Sequence, residues 1–219
     1  MNVYLQAQNR TNEAILSAQF SPDELQRFSK SDIRWVDGRR KNFTQKGVKK
    51  GEVYQFEFGK NYIPEMSYEH RGLVLGVKQR LLYVLPIFTY DSGKHKEVYH
   101  PVDFPSSRSD LFLLKSSEYA FITHDSVLKL NDLRTVSINR ILYQQNGRIA
   151  PNSDTFRIIE TLVLKKYFPS FLYDNEKCTM QRDELSEELA EYQSKLKCLE
   201  SENQQLQDQI LSLESHIST

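Results

Sequence analysis

The sequence has few cysteines, no excess of charge and no long apolar run. Cys178 and Cys198 are the only cysteines among 219 residues, which excludes a disulfide framework and offers no metal-ligand spacing. No apolar stretch approaches the roughly 18 residues of a membrane span, and the first residues lack the basic start and hydrophobic stretch of a signal peptide. These absences predict a cytoplasmic protein in a reducing compartment, with no membrane anchor.

Motifs of the common cofactor and metal enzymes are also missing. We find no zinc-ligand pattern, no glycine-rich nucleotide loop and no Ser-His-Asp set, so the sequence predicts neither a metal nor a cofactor. Basic and acidic residues both number 29, and the overall charge therefore gives no hint of a nucleic-acid partner. Residues 180–219, however, hold three basic and nine acidic residues, which leaves the rest of the chain net positive. The two parts are expected to have different tasks.

Three segments between residues 51 and 90 have the composition of β-strands. They are rich in Val, Leu, Tyr and Phe and are separated by turn or charged residues, as in an antiparallel meander: Gly51–Gly59, Gly72–Lys78 and Leu81–Tyr90. The second contains a near-continuous apolar run, typical of a strand covered on both faces. We predict a small closed or half-closed sheet, continued by short strands at Leu111–Lys115, Tyr119–Ile122 and Ser126–Leu130.

Two helices are indicated by their first residues. Ser21-Pro22-Asp23-Glu24 is a capping box with proline at the first helical position, which predicts a helix from Pro22. Asn152-Ser153-Asp154 offers a cap for a helix that ends before Pro169. Its apolar residues recur at helical spacing, which predicts packing against the sheet: Phe156, Ile159, Val163 and Tyr167.

The C-terminal segment has a heptad repeat typical of a coiled coil. Spacings of four and three alternate through ten core positions, nine of them apolar. Leu189, Leu196, Asn203, Ile210 and Ile217 occupy position a, and Leu185, Tyr192, Leu199, Leu206 and Leu213 occupy position d. The single asparagine at an a position favours a parallel, in-register homodimer. A basic protein partner for the acidic surface, or folding back onto the positive part of the chain, remains open.

Four ordered stretches resemble the PemK/MazF family of toxin endoribonucleases. GEVYQFEFG at 51–59, HRGLVLG at 70–76 and LLYVLPIFT at 81–89 are similar to its first three strands. HDSVLKLNDLRTVSINRIL at 124–142 is similar to its C-terminal signature, a strand followed by D-x-I-R-T-V and a basic short helix. The resemblance covers about residues 51–142 and implies an SH3-like barrel, metal-independent cleavage of RNA and a homodimer.

The resemblance also implies site residues. Arg71 matches the catalytic arginine of the second strand, and its fork of donors suits a phosphate that gains charge in the transition state. Phe88 stands where the family has threonine, and Thr89 follows. In a regular strand a hydroxyl at position 89 would face the side opposite to residue 88, whereas a local bulge would turn it toward the site. His70 has the pKa range for proton transfer and is a substitute candidate, although a histidine at such a position is more often a bystander.

Further basic residues are candidates for binding RNA. Arg39, Arg40 and Lys41 lie in a basic stretch interleaved with aromatic residues, which can hold phosphates and stack bases or can equally be a solvated linker. Lys94 and Arg108 lie in the long loop after Tyr90 and are candidate phosphate contacts. His95 and His100 in the same loop are weaker candidates.

The sequence thus predicts a mainly β protein with helices, in three parts. Residues 1–50 form a helical and basic extension, 51–170 an SH3-like barrel of PemK/MazF type with a C-terminal helix, and 175–219 a coiled coil. The expected function is that of a toxin endoribonuclease of a toxin–antitoxin or phage-defence system, with RNA, a second copy and a protein antitoxin as partners. The alternative is an inactive relative that binds nucleic acid or organises an assembly.

Overall fold

The computed structural model describes residues 2–40 and 47–217, which fall into two units, Met1–Lys166 and Tyr167–Thr219. Each unit has its own secondary structure. The first contains the helices α1 (Asn2–Ser17), α2 (Pro22–Arg40) and α3 (Asp154–Tyr167), with the last residue of α3 at the boundary. Its strands are β1 (Glu52–Glu57), β2 (Glu69–Lys78), β3 (Leu81–Thr89), β4 (Leu111–Leu114), β5 (Ser126–Lys129), β6 (Arg134–Ser137) and β7 (Ile141–Arg148). The second unit consists of α4 (Pro169–Ile217).

The seven strands form one sheet, in which six follow the order β4-β5-β3-β2-β1-β7 and β6 pairs with β3. All of these pairs are antiparallel. β3 is the central strand, because its first half pairs with β6 and its second half with β5. The expected antiparallel sheet with accompanying helices and a long C-terminal helix is confirmed at this level. Within the described ranges, none of the helices is both long and apolar enough to cross a bilayer.

Both faces of the sheet are covered by apolar side chains. Leu73 of β2 belongs to a buried cluster that includes Phe156, Ile159 and Val163 of α3. Val74, the next residue, belongs to a second cluster on the other face with the aromatic residues of β1. The apolar run of β2 is therefore buried on both sides, and α3 packs on the sheet, as the sequence predicted.

Local capping defines the starts of α2 and α3. The Ser21 amide donates to Glu24 Oε2 at 2.9 Å, and the Glu24 amide donates to Ser21 Oγ at 3.3 Å, which is the reciprocal pattern of a capping box. The Phe156 amide donates to Ser153 Oγ at 3.3 Å. These hydrogen bonds confirm both predicted helix starts. The starts were predictable because each cap joins residues only three positions apart.

One sequence expectation is wrong. Tyr119–Ile122 is not a strand but a set of turns that delivers Ile122 to the core. After Val136, where the resemblance implies a short basic helix, the chain forms a 3-10 helix of one turn, Ile138–Arg140, which leads straight into β7. β7 contains Gln, Asn and Gly, which have low strand propensity, and it forms because its backbone pairs with β1.

The stretch that resembles the family's C-terminal signature has a structural role. Asp132 is 7% exposed, and its carboxylate accepts hydrogen bonds from Arg134 Nε at 2.7 Å and from the Met66 amide at 2.8 Å. The Asp132 carboxylate therefore links Met66 of the β1–β2 loop to Arg134 at the start of β6.

Candidate functional site

Arg71 and Thr89 lie on neighbouring strands and on the same face of the sheet. Arg71 in β2 pairs with Ile87 in β3, and β3 keeps a regular register against β5 from Ile87 to Thr89. Paired residues share a face, and so do residues two apart in a strand. The exposed Thr89 side chain therefore lies on the same face as Arg71 without a bulge.

Ser126 holds the guanidinium in place. Its side chain is fully buried at the start of β5, opposite Thr89, and its Oγ accepts a hydrogen bond from Arg71 Nη2 at 3.0 Å. The same hydroxyl donates to the His124 carbonyl at 2.9 Å, which fixes its orientation. Ser126 thus positions Arg71, while Thr89 remains accessible.

The environment of Arg71 suits the binding of an anion. The side chain is half-buried, and this burial lowers the pKa of its guanidinium, although an arginine keeps its proton at neutral pH. A poorly hydrated cation binds a phosphate oxygen more strongly than a fully solvated one does. Arg71, Thr89 and Ser126 therefore combine a partly desolvated positive charge with one accessible hydroxyl.

Gly72, where the family has proline, fits the packing beneath Arg71. A Cβ atom at this position would lie 2.4 Å from Val84 Cγ1 and 2.9 Å from a ring carbon of Phe56. The side chains of β1 and β3 occupy the space, so any larger residue would displace them.

Phe88 is on the other side of β3 and is part of the fold. Its ring centroid lies 5.1 Å from that of His95, and it packs against the small cluster around Val127. His95 also stacks on Tyr90, and its Nδ1 accepts a hydrogen bond from the Asp91 amide at 3.0 Å. The residue at the usual threonine position therefore supports the loop after β3.

His70 is separated from Arg71 by the alternation of the strand. The register pairs His70 with Phe56 and Arg71 with Gln55, so the two side chains leave β2 in opposite directions. Burial, followed by the positive charge of Arg27, lowers the pKa of the His70 imidazole. A neutral imidazole can accept a proton, and its catalytic role stays a prediction.

A pocket of about 360 Å³ adjoins the candidate site between α2 and the ends of β1 and β2. Gln55, the cross-strand partner of Arg71, lines it together with His70. Arg34 also lines this pocket and forms two salt bridges there. Its Nη1 lies 3.0 Å from Glu57 Oε2, and its Nη2 lies 2.6 Å from Glu69 Oε2. These two carboxylates neutralise the charge of Arg34.

The predicted RNA contacts are scattered. Arg39 lies on α2 with its guanidinium 5.1 Å from the centroid of the Trp35 ring, and Lys94 and Arg108 are exposed in the loop after β3. Only the backbone of Arg40 is described, at the end of α2, and Lys41 lies outside the described residues.

His100 is wrong as an RNA contact. It is 2% exposed, its Nδ1 accepts from the Asp103 amide at 3.1 Å, and its Nε2 lies 3.3 Å from Glu118 Oε1. The side chain therefore braces the long loop from within and has no surface to offer to a strand of RNA.

No sequence pattern pointed to Ser126, because a buried serine at the start of a strand has no local signature. Its contact with Arg71 joins residues 55 positions apart. Among the described residues, no group of three or more His, Cys, Asp or Glu side chains is arranged to hold a metal ion. Neither the family models nor the curated proteins compared with the chain include a match. The grounds for a function are therefore the residue pattern and the geometry.

Proposed function

We propose that the chain is a PemK/MazF-like endoribonuclease that cleaves single-stranded RNA without a metal ion. The observation behind this proposal is the meeting of Arg71, Thr89 and Ser126 on one face where β2, β3 and β5 adjoin. A half-buried guanidinium beside an accessible hydroxyl is the chemistry that a scissile phosphate requires.

An SH3-like small barrel is the fold that we propose for residues 51–148, and the link between β6 and β7 supports it. In a flat sheet β6, β3, β2, β1 and β7 would stand side by side, which separates β6 from β7 by about 19 Å at about 4.8 Å per strand. The connecting 3-10 turn, Ile138–Arg140, spans about 6–8 Å at about 2 Å per residue. The sheet must therefore curl to bring its two ends together.

Metal-independent cleavage proceeds by attack of the 2′-hydroxyl oxygen on the adjacent phosphorus. The 2′-hydroxyl passes its proton to solvent water as the new P–O bond forms, and negative charge builds up on the non-bridging oxygens. The bond to the 5′-oxygen then breaks as that oxygen takes a proton from water. In our proposal Arg71 neutralises the growing charge and Thr89 donates a hydrogen bond to a non-bridging oxygen. Ser126 keeps the guanidinium aimed at the phosphate.

The test is cleavage of labelled RNA in the presence of EDTA. The unmodified protein is expected to cut, and Arg71→Ala to lose about a hundred- to a thousandfold in rate while keeping its circular dichroism spectrum. Arg157→Ala, an exposed arginine on α3, is the matched control and should cut at the normal rate. Unchanged cleavage by folded Arg71→Ala would remove Arg71 from the proposed site.

An inactive nucleic-acid-binding or assembly module is the second candidate. Phe88 at the usual threonine position favours it, because its ring packs in the fold and supplies no hydroxyl. This alternative predicts RNA retention without any product in the same assay.

We further propose that α4 forms a parallel homodimer with a second copy of the chain. Its seam side chains are exposed in the single chain; Leu189, Leu196 and Leu206 are 57–59% exposed. Asn203 at an a position pairs best with its own copy, because a shifted register would bury its amide against leucine. Across the seam Lys195 faces Glu200 of the second copy, and the other g–e pairs bring no like charges together.

A further inference from the structure

A second pocket, of about 530 Å³, lies between α2, the start of the β1–β2 loop and the 3-10 turn before β7. Trp35 and Arg39 of α2 form one side, Gly59 and Lys60 another, and Arg140 the third. This volume is within the range of about 300–1,000 Å³ found for small-ligand sites. Neither Arg71 nor Thr89 lines this pocket.

The basic side chains of this pocket differ in how far their charge is neutralised. Lys60 Nζ lies 2.5 Å from Asp32 Oδ1, and Arg34 is shared between Glu57 and Glu69. Arg140 Nη1 instead donates to the backbone carbonyl of Glu57 at 2.9 Å, a contact that orients the guanidinium and leaves its full charge. Arg39 is placed against the Trp35 ring, which likewise carries no opposing charge. The lining thus has a positive excess at Arg39 and Arg140.

Trp35 is held at the edge of this pocket by the docking of α2. The indole is 58% exposed, yet Ser31 and Arg34, on the same helical turn, are anchored to Glu57 at 3.0 Å each. The approach of the helix to the 3-10 turn is close, because the Asn139 side-chain amide donates to the Gly38 carbonyl at 3.4 Å. A large aromatic surface is therefore presented on a fixed element.

We propose that this pocket binds one nucleotide of a single-stranded RNA. The base stacks on the face of Trp35 that Arg39 leaves open, and the phosphate is held by Arg39 and Arg140. Aromatic stacking beside a basic groove is the general way in which proteins hold unpaired nucleotides, because every base offers a π-face. The inference rests on the proposed RNA substrate and adds a binding subsite apart from the site of cleavage.

Trp35 is the only tryptophan, so its fluorescence reports on this pocket alone. The experiment titrates an oligoribonucleotide of roughly ten nucleotides into the full-length Arg71→Ala protein, in which cleavage cannot obscure binding. We expect saturable quenching of Trp35 emission. Affinity is followed in parallel by the anisotropy of a labelled copy of the same RNA.

Variants in the same background then test the two contacts. Trp35→Leu should weaken binding by about fivefold to a hundredfold, the range for loss of one stacked base, whereas Trp35→Phe should keep most of the affinity. Arg39→Gln should weaken binding and lower the salt slope by about 0.7, the value for one phosphate contact to a single strand. Arg157→Gln, with an equal loss of charge on α3, should leave the slope unchanged.

Several results would overturn the subsite. One is RNA binding without any change in Trp35 emission. Another is an equal RNA affinity of Trp35→Leu and its parent, and a third is an equal loss of RNA affinity in Arg39→Gln and Arg157→Gln. Failure of all variants to bind RNA would also overturn it. Cleavage by the unmodified protein in EDTA is a separate readout, so a failed subsite and a failed endoribonuclease proposal can be told apart. Circular dichroism of each variant verifies that the fold is kept.

Discussion

At the scale of single residues, Thr89 owes its position to the regular register of β3. Residues 87 to 89 pair without interruption with β5, and this places Thr89 on the same face as Arg71 while the ring of Phe88 packs on the opposite face. A threonine one position later than in the family pattern can thus still serve the same arginine. The resemblance by itself pointed to position 88.

The first prediction concerns this hydroxyl. Thr89→Val keeps the shape of the side chain and removes the donor, so we expect RNA cleavage to fall by about tenfold or more, in line with the loss of a hydrogen bond to a charged group. Thr135→Val, at an exposed position of β6, is the matched control. Single-turnover kinetics at saturating protein measure the effect, and equal rates for the two variants would contradict the proposed role.

The second prediction concerns the pKa of His70. Burial, and then Arg27, lowers this pKa in the folded protein below its ordinary value of 6.5, so the unfolded chain takes up a proton first as the pH falls. The stability due to the neutral imidazole is complete above about pH 6.5 and is lost below it. The unfolding free energy of the unmodified protein should therefore drop between about pH 7 and pH 5 more than that of His70→Asn.

Proton NMR of the imidazole tests the cause directly. The midpoint of His70 should lie below 6.5 in the unmodified protein and should move upward in Arg27→Ala, since a nearby positive charge has been removed. His124, an exposed histidine in the same spectrum, serves as the internal reference. A His70 midpoint that does not respond to Arg27→Ala would show that burial alone is responsible.

At the scale of elements, α2 is docked on the sheet mainly through polar contacts. Glu57 is 6% exposed and accepts hydrogen bonds at 3.0 Å from Ser31, Arg34 and the Gly59 amide. A buried carboxylate with three donors specifies one orientation of the helix, since a rotated helix would leave it unpaired. The two pockets described above both depend on this orientation.

The third prediction follows from this docking. Glu57→Ala should lower the unfolding free energy by about 2–3 kcal/mol and increase hydrogen exchange of the α2 amides, because it removes hydrogen bonds to a charged group. Glu69→Ala removes the more exposed partner of Arg34 and should cost about 0–1 kcal/mol. Urea denaturation and exchange measured by mass spectrometry provide the comparison. Similar losses in both variants would mean that Glu57 does not fix α2.

At the scale of the whole molecule, the proposed dimer brings the two native cysteines into different environments. Both thiols are free and exposed in the single chain. Continuing the heptads toward the start of α4 puts Cys178 at position d, whereas Cys198 falls at position c. In a parallel, in-register dimer two d residues face each other across the seam, and two c residues point away from it.

The fourth prediction uses this difference. On mild oxidation with diamide, Cys198→Ser should form a disulfide-linked dimer through Cys178, while Cys178→Ser should stay largely uncrosslinked because its thiols are too far apart. Non-reducing electrophoresis reads out both proteins. Crosslinking of Cys178→Ser alone would argue for a different register. The mass of a monomer in sedimentation at all concentrations of unoxidised protein would argue against association through α4.

Those elements whose causes are local could be predicted from the sequence. The capping box that begins α2, the apolar stripe of α3 and the heptads of α4 depend on residues three to seven positions apart. The strands β1 to β3 could likewise be predicted, because their composition and alternation reflect burial of the same residues. Arg71 and Thr89 could be named in advance from the resemblance to the PemK/MazF family.

Which of these residues come into contact depends on the tertiary structure. The hydrogen bond from Arg71 to Ser126 joins β2 to β5, the contact of Ser31 with Glu57 joins α2 to β1, and β7 exists because it pairs with β1. Such contacts depend on strand order and on the packing of α2. No local sequence pattern identifies a hydrogen-bond partner that lies 26 or 55 positions away. The pocket around Trp35 arises in the same way, since its walls come from three separate parts of the chain.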